Sequence, residues 1–298
     1  NAIKGFLARY QVWSGQKVNV EKSSFSLTSG ASAEQIQLVQ SILGFREQSL
    51  PFRYLRVPLV KGRIGCMHFD GLLTKLRQRL FHWSSKMLTM GGKIILIRHV
   101  LSSIPMHLIQ VLQPPKAVTV ALGRICNAFL WDHSTTERRV HWAAWEKVCF
   151  PEEEGGLGFC SFDDRIRAFS CKLWWKLRRK DLAWAEFMHC KYVKGVHPAA
   201  ARLERPPASW RRLLEIRYFA EERIRWCLGV GLVDFWHDRW CTEVPLAQLL
   251  GVSDMPCVFV GELYLQDGWD VAHLRQWLPE QYVSMVLELQ IFPTLKDH

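Results

Sequence analysis

The chain has 298 residues, 49% hydrophobic and 22% charged, which excludes wholesale disorder and leaves room for about two domains. Lys and Arg number 39 against 28 Asp and Glu, and the resulting +11 points to polyanions, nucleic acid first and anionic membrane second. No apolar run approaches the ~18 residues of a membrane span; Ile94-Ile95-Leu96-Ile97 is closed by Arg98.

Ile3, Phe6, Leu7, Tyr10 and Trp13 follow helical spacing, so the chain opens inside an element, as if cut. Ser14-Gly15 stops that helix, Lys17 to Phe25 alternates loosely like a strand, and Glu34 to Leu43 forms a short helix ended by Gly44. Leu50 to Val60 is β-rich with Pro51 and Pro58 at its margins, which predicts a tight hairpin or two short strands at an edge.

Phe69, Leu72, Leu73, Leu76, Leu80 and Trp83 make a helical apolar stripe, and Lys75, Arg79, His82 and Lys86 share another face. Gly91-Gly92 breaks the chain before a second helix, Lys93 to Gln110, which Pro105 kinks or ends. Pro114-Pro115 opens a third, to about Trp131. Residues 51–110 hold ten basic side chains against Asp70 alone; with interleaved aromatics they are a candidate phosphate-binding surface, or else a solvated basic face.

Glu152 to Gly158 reads as a loop at a domain boundary. Arg165 to Cys190 reads as one long helix, and Ser209 caps another to about Phe219. Ile224–Leu228 and Leu232–Trp236 flank Gly229-Val230-Gly231 as a β-hairpin, and the acidic tail forms two or three short helices. The fold class is therefore α+β, mainly helical. The nine scattered cysteines show no zinc-ligand spacing and read as reduced thiols, mostly packing residues, in an intracellular protein, nuclear or cytoplasmic. Asp163-Asp164 sits at a helix mouth and reads as capping, and no P-loop, HExxH or GxSxG motif occurs.

One ordered series of residues goes further. It comprises Ser14-Gly15-Gln16-Lys17-Val18-Asn19 with Lys22-Ser23, then Pro51 to Leu59, Trp83 to Lys93, and Leu101-Ser102-Ser103-Ile104-Pro105. Phe129-Leu130-Trp131, His141-Trp142 with Trp145, Gly155-Gly156-Leu157-Gly158 and Phe235 to Trp240 continue it. From residue 1 to about 245 the series resembles the C-terminal part of plant LINE-type non-LTR retrotransposon reverse transcriptases. The resemblance implies a palm remnant with a primer-grip-like hairpin over 1–65, a three-helix thumb over 66–150, and a helical linker region with a β-hairpin and acidic tail over 151–298.

It further implies Lys22 as the candidate general acid toward leaving pyrophosphate, and template–primer contacts from Phe52, Arg53, Tyr54, Arg56, Lys75, Arg79, Lys86 and Lys93. The family carries Gly where this chain has Arg56. The partners implied are RNA template and RNA–DNA duplex, with no membrane. Mg²⁺ is expected only for a full-length polymerase, because the metal-binding aspartates of the family fall upstream of the matched segment. The expectation is thus a duplex-binding fragment that is not catalytic alone. Its alternative is a non-catalytic protein-interaction module, or an inert degenerate retroelement product.

Overall fold

The computed structural model describes residues 2–28, 30–84, 88–132, 140–252, 255–265, 268–292 and 295–297. The chain is mainly helical, with three small two-stranded sheets among the described residues. Helix α1 (Ala2–Ser14) and helix α2 (Ala33–Leu43) flank strand β1 (Ser24–Phe25), which pairs in parallel with β2 (Arg46–Glu47). The strand expected from Lys17 is confined to these two residues. Ser32 and Gln35 form a reciprocal capping box at the start of α2, and Gly44 closes it at φ 72°. No described residue before Val57 is buried.

Strands β3 (Phe52–Tyr54) and β4 (Val57–Leu59) form the expected hairpin, with Phe52 opposite Leu59 and Tyr54 opposite Val57. Its two-residue turn, Leu55-Arg56, is left-handed at both positions, with φ 47° and 66°. Such turns match the strand twist but favour Asn and Gly. Glycine at position 56 is what this backbone calls for.

A 3-10 turn (Cys66–Phe69) leads into α3 (Asp70–Ser84), whose Leu72, Leu73 and Leu76 are buried while Lys75 and Arg79 are exposed. The expected second helix is divided into α4 (Met90–Leu96), a π turn (Ile97–Leu101) and α5 (Met106–Val111). Gly91-Gly92 does not break the chain. Thr89 caps α4 by accepting the Gly92 N–H at 3.3 Å, which keeps both glycines inside the first turn. Pro105 begins α5 rather than kinking a longer helix. Helix α6 (Lys116–Trp131) supplies Val118, Leu122, Cys126, Phe129 and Leu130 to the first core. Trp145 of the short helix α7 (Trp145–Val148), with Phe159 and Phe162, completes that core, which runs across positions 65/66 and 150/151.

Helix α8 (Phe162–Arg179) begins at Ser161, whose Oγ accepts the Asp164 N–H at 3.0 Å. It ends at Lys180 with φ 50°, so the long helix expected to Cys190 is two: α9 (Ala183–Met188) continues into a π turn (His189–Val193). Helix α10 (Ala208–Glu221) packs on α8, burying Trp174, Leu177, Trp210 and Leu213; Pro207 rather than Ser209 occupies its cap. Arg212 is buried between them and donates to Ser170 Oγ (2.8 Å) and to the Gln110 and Ile109 carbonyls (3.2 and 3.1 Å) at the end of α5. Burial lowers its pKa to about 10.

The hairpin expected over 224–236 does not form. Asp297 captures its backbone N–H groups instead: Gly229 and Gly231 donate to Oδ1 at 2.6 and 3.0 Å, and Leu232 to Oδ2 at 2.7 Å. Val233 and Phe235 pair with Val260 and Val258. The hairpin of this region lies later, between β5 (Tyr264–Leu265) and β6 (Gly268–Trp269). Helices α11 (Leu246–Leu249), α12 (Val271–Trp277) and α13 (Glu280–Leu287) surround a third core of Phe235, Trp236, Trp240, Leu274 and Val283. All nine cysteines are free, but five are exposed (66, 160, 190, 227 and 257), so most are not packing residues.

Candidate nucleic-acid interface

The turn of the β3–β4 hairpin stands beside α3 and α5, and the space between them is a groove of about 820 Å³. Arg53 and Arg56 reach it from the hairpin, Lys75 from α3, His68 from the 3-10 turn before α3, and His107 from α5. The fixing contact is a hydrogen bond: His107 Nε2 donates to the Leu55 carbonyl at 2.8 Å, tying the turn to α5. Val57 in the first core anchors the other end of the hairpin. A Cβ on Gly71 would lie 3.1 Å from Arg53 Nη2, so glycine in the first turn of α3 leaves room for that guanidinium.

Arg53, Arg56, Lys75 and Arg79 are all exposed and form no ion pair among the described residues. A groove with cations on two walls and histidine and aliphatic side chains between them suits a phosphodiester backbone. Phe52 is half-buried at the hairpin base, and Tyr54 is exposed beside the turn. Arg79 continues the Lys75 face one helical turn beyond the groove lining.

Other sequence candidates lie elsewhere. Lys93 Nζ donates to the Asp132 carbonyl at 2.6 Å and the Leu130 carbonyl at 3.4 Å, which closes the C-terminal end of α6. Lys22 is exposed in a turn before β1, its backbone N–H donating to Asn19 Oδ1 at 3.1 Å. Lys86 lies outside the described residues. Sequence reasoning missed His68, Gly71 and His107. A Gly directly after the N-terminal Asp70 of a helix was the available signal for Gly71; nothing local pairs 107 with 55.

A second polar cluster has a structural role. Arg178 of α8 is ion-paired with Asp238, and with Glu221 of α10 at 3.1 Å; His197 Nε2 donates to Asp238 Oδ1 at 3.1 Å. Burial would raise the Asp238 pKa, but Arg178 and His197 hold it below the usual carboxylate value. The hydrogen bond to Asp234 at 2.8 Å raises the His237 pKa. These bonds knit α8 to the 234–238 turn. Among the described residues, no three His, Cys, Asp or Glu side chains gather so as to hold a metal ion, and no helix is long and apolar enough to cross a membrane.

No family model matches the chain. The protein At1g65750 of Arabidopsis thaliana, which carries a provisional ribonuclease H name, is 29% identical over 229 residues. That match covers 73% of this chain but only 37% of the relative. The uncharacterised mitochondrial protein AtMg00310 of the same plant is 24% identical over 156 residues, 49% of this chain and 99% of its own length. Both relatives are plant proteins, and the chain spans little more than a third of the length of the first. Neither is named as a reverse transcriptase.

Proposed function

We propose that the chain is the duplex-gripping part of a LINE-type reverse transcriptase, holding an RNA–DNA template–primer through the groove between its hairpin and α3. One observation carries the proposal: Arg53 and Arg56 of the hairpin and Lys75 of α3, cations of two different elements, line the same groove. The hairpin is the primer grip in this reading and α3 to α6 the thumb. Backbone contacts of this kind position a duplex without reading its sequence. The relationship to plant proteins, one with a ribonuclease H name, is compatible with a nucleic-acid ligand. Lys22 as a proton donor to pyrophosphate belongs to the whole polymerase, with Mg²⁺ held by carboxylates of that larger protein.

The test is binding of a fluorescent RNA–DNA hybrid across a salt series, comparing the parent with Arg53→Glu/Lys75→Glu. Both residues are exposed, so circular dichroism should be unchanged. Each lost phosphate contact removes about 0.9 from the logarithmic salt slope on duplex DNA, so the double variant should flatten it by about two units. A folded variant that binds as the parent does, with the same slope, overturns the proposal. A second reading, apolar protein association, is favoured by α1, where Ile3, Phe6 and Trp13 are 62%, 59% and 81% exposed. Association through that face would be insensitive to salt.

A further inference from the structure

Two turns along α8 from its contact with α5, a smaller basic cleft opens. It measures about 390 Å³ and is lined by Lys172 and Trp175 of α8 and by Arg223, Ile224 and Arg225, where the chain leaves α10. The cleft exists because α10 stops at Glu221 and the following residues fold back: the Arg223 N–H donates to the Ala220 carbonyl at 3.0 Å and that of Ile224 to the Glu221 carbonyl at 3.2 Å. Ile224 is half-buried and wedges between the second and third cores.

The charge balance is positive. Arg167, one turn before Cys171, places its guanidinium 5.3 Å from the Phe219 ring centroid, and Arg223 stands 3.6 Å from the same ring. Both guanidinium groups act on the Cys171 thiol, whose pKa is raised by burial and pulled back by Arg223 and Arg167. Arg223 meets Glu222 at 3.3 Å and Arg225 meets Glu243 at 2.8 Å. Those four side chains are 56–76% exposed, so the pairs are weak and exchange readily for a stronger anion. Arg167 and Lys172 have no ion-pair partner among the described residues. Lys172, Arg223 and Arg225 thus line the cleft, Arg167 stands beside Arg223 on the Phe219 ring, and Glu243 is shared with Arg239 at 3.4 Å.

We propose that this cleft binds the phosphodiester backbone of a single strand extending from the duplex held in the groove. A single strand is the fitting occupant because its unpaired base can reach Trp175 while its phosphates meet Lys172, Arg223 and Arg225, which a duplex with its bases stacked inside cannot do. Position supplies the continuity. Arg165 Nη1 touches Met106 Sδ at 3.6 Å, beside the groove residue His107. Lys172 lies seven residues on, along the same side of α8, about 10 Å away at 1.5 Å per residue. That span matches about three stacked nucleotides at 3.4 Å each. Trp175 gives the cleft an aromatic wall for a base. The proposal rests on the duplex reading for its orientation, but the cleft itself can be tested apart from it.

The experiment compares three labelled ligands: a blunt RNA–DNA hybrid, the same hybrid with a ten-nucleotide single-stranded extension, and that single strand alone. For the parent, the extension should tighten binding and steepen the salt slope by about two units. Arg167→Glu/Lys172→Glu should abolish this increment and weaken the free strand, leaving the blunt hybrid unchanged. Arg202→Glu/Arg205→Glu, the same charge change on an exposed loop, should keep the increment; if the glutamate pair at 167 and 172 does not fold, Arg167→Gln/Lys172→Gln serves in its place. Loss of blunt-hybrid binding by the parent would sink the groove reading alone, because the free strand still reports on the cleft. The cleft proposal is overturned by a parent that gains nothing from the extension, or by a control pair that loses as much. It is equally overturned if inorganic phosphate is retained with no preference for extended over blunt hybrid.

Discussion

Replacing Arg56 with glycine separates the two demands that the hairpin turn meets. Arg56 holds φ 66° and Leu55 φ 47°, a left-handed pair closing β3 onto β4. A non-glycine residue in that conformation costs about 1–2 kcal/mol. Glycine relieves the strain but returns about 0.5–1 kcal/mol through its greater freedom in the unfolded chain. Arg56 is exposed and has no ion pair among the described residues, so little packing is lost. The net expectation for Arg56→Gly is a gain of roughly 0.5–1 kcal/mol, or a rise of about 1–3 °C in the melting midpoint. The gain registers globally because Val57, the next residue, belongs to the first core. Binding should move the other way: one phosphate contact fewer flattens the salt slope for an RNA–DNA hybrid by about 0.9. Leu55→Gly is the control; Leu55 is 71% exposed and uncharged, so the midpoint should rise while the slope stays put. A melting midpoint that does not rise in Arg56→Gly refutes the strain argument, and an unchanged salt slope removes Arg56 from the interface.

Gly123→Ala tests the packing of α6. The added Cβ would sit 2.6 Å from Trp145 Cδ1, and Trp145 is itself stacked on Phe159 at 5.5 Å and Phe162 at 6.3 Å. Overpacking of about 1–3 kcal/mol should exceed the ~1 kcal/mol gain in helix propensity, so the urea midpoint should fall; a midpoint equal to or above the parent's contradicts this. His189 tests the acid limb. Burial lowers its pKa to about 4, helped by Lys180 and Arg178 and opposed by its hydrogen bond to the Leu177 carbonyl at 3.0 Å. The unfolded histidine takes up a proton near pH 6.5 and the folded one only near 4, so this stability is fully present above about pH 6.5 and is lost as pH falls toward 4. His189→Gln should therefore lose less melting temperature than the parent between pH 6.5 and 4.5, His237 and Asp234 titrating alike in both; parallel profiles would refute it.

Where a signal was local, the sequence was legible. The stripe from Phe69 to Trp83 told which face of α3 is buried, and Gly44 marked the end of α2. The prolines and β-rich composition of 50–60 pointed to the hairpin that forms. What was illegible depended on distant partners. Residues 224–236 look like a hairpin until Asp297 takes their N–H groups. Lys93 looks like a phosphate ligand until the α6 carbonyls claim it. The basic residues of the groove could be named, but their convergence rests on His107 reaching Leu55, a contact between 52 positions that no periodicity encodes.

Arg212 has a consequence for any attempt to dissect the chain. Its donors terminate α5 at Ile109 and Gln110, helix carbonyls that face a buried guanidinium rather than water. The wall of the groove is thus finished by a side chain from a helix a hundred positions later. A fragment ending near residue 150 would keep every groove residue yet strand those carbonyls and expose the face of α5 that rests on α8. The groove and the helices behind it are, in this sense, one inseparable unit of inheritance, and an insertion tolerated at the Glu152–Gly158 loop would have to leave that crossing bond intact.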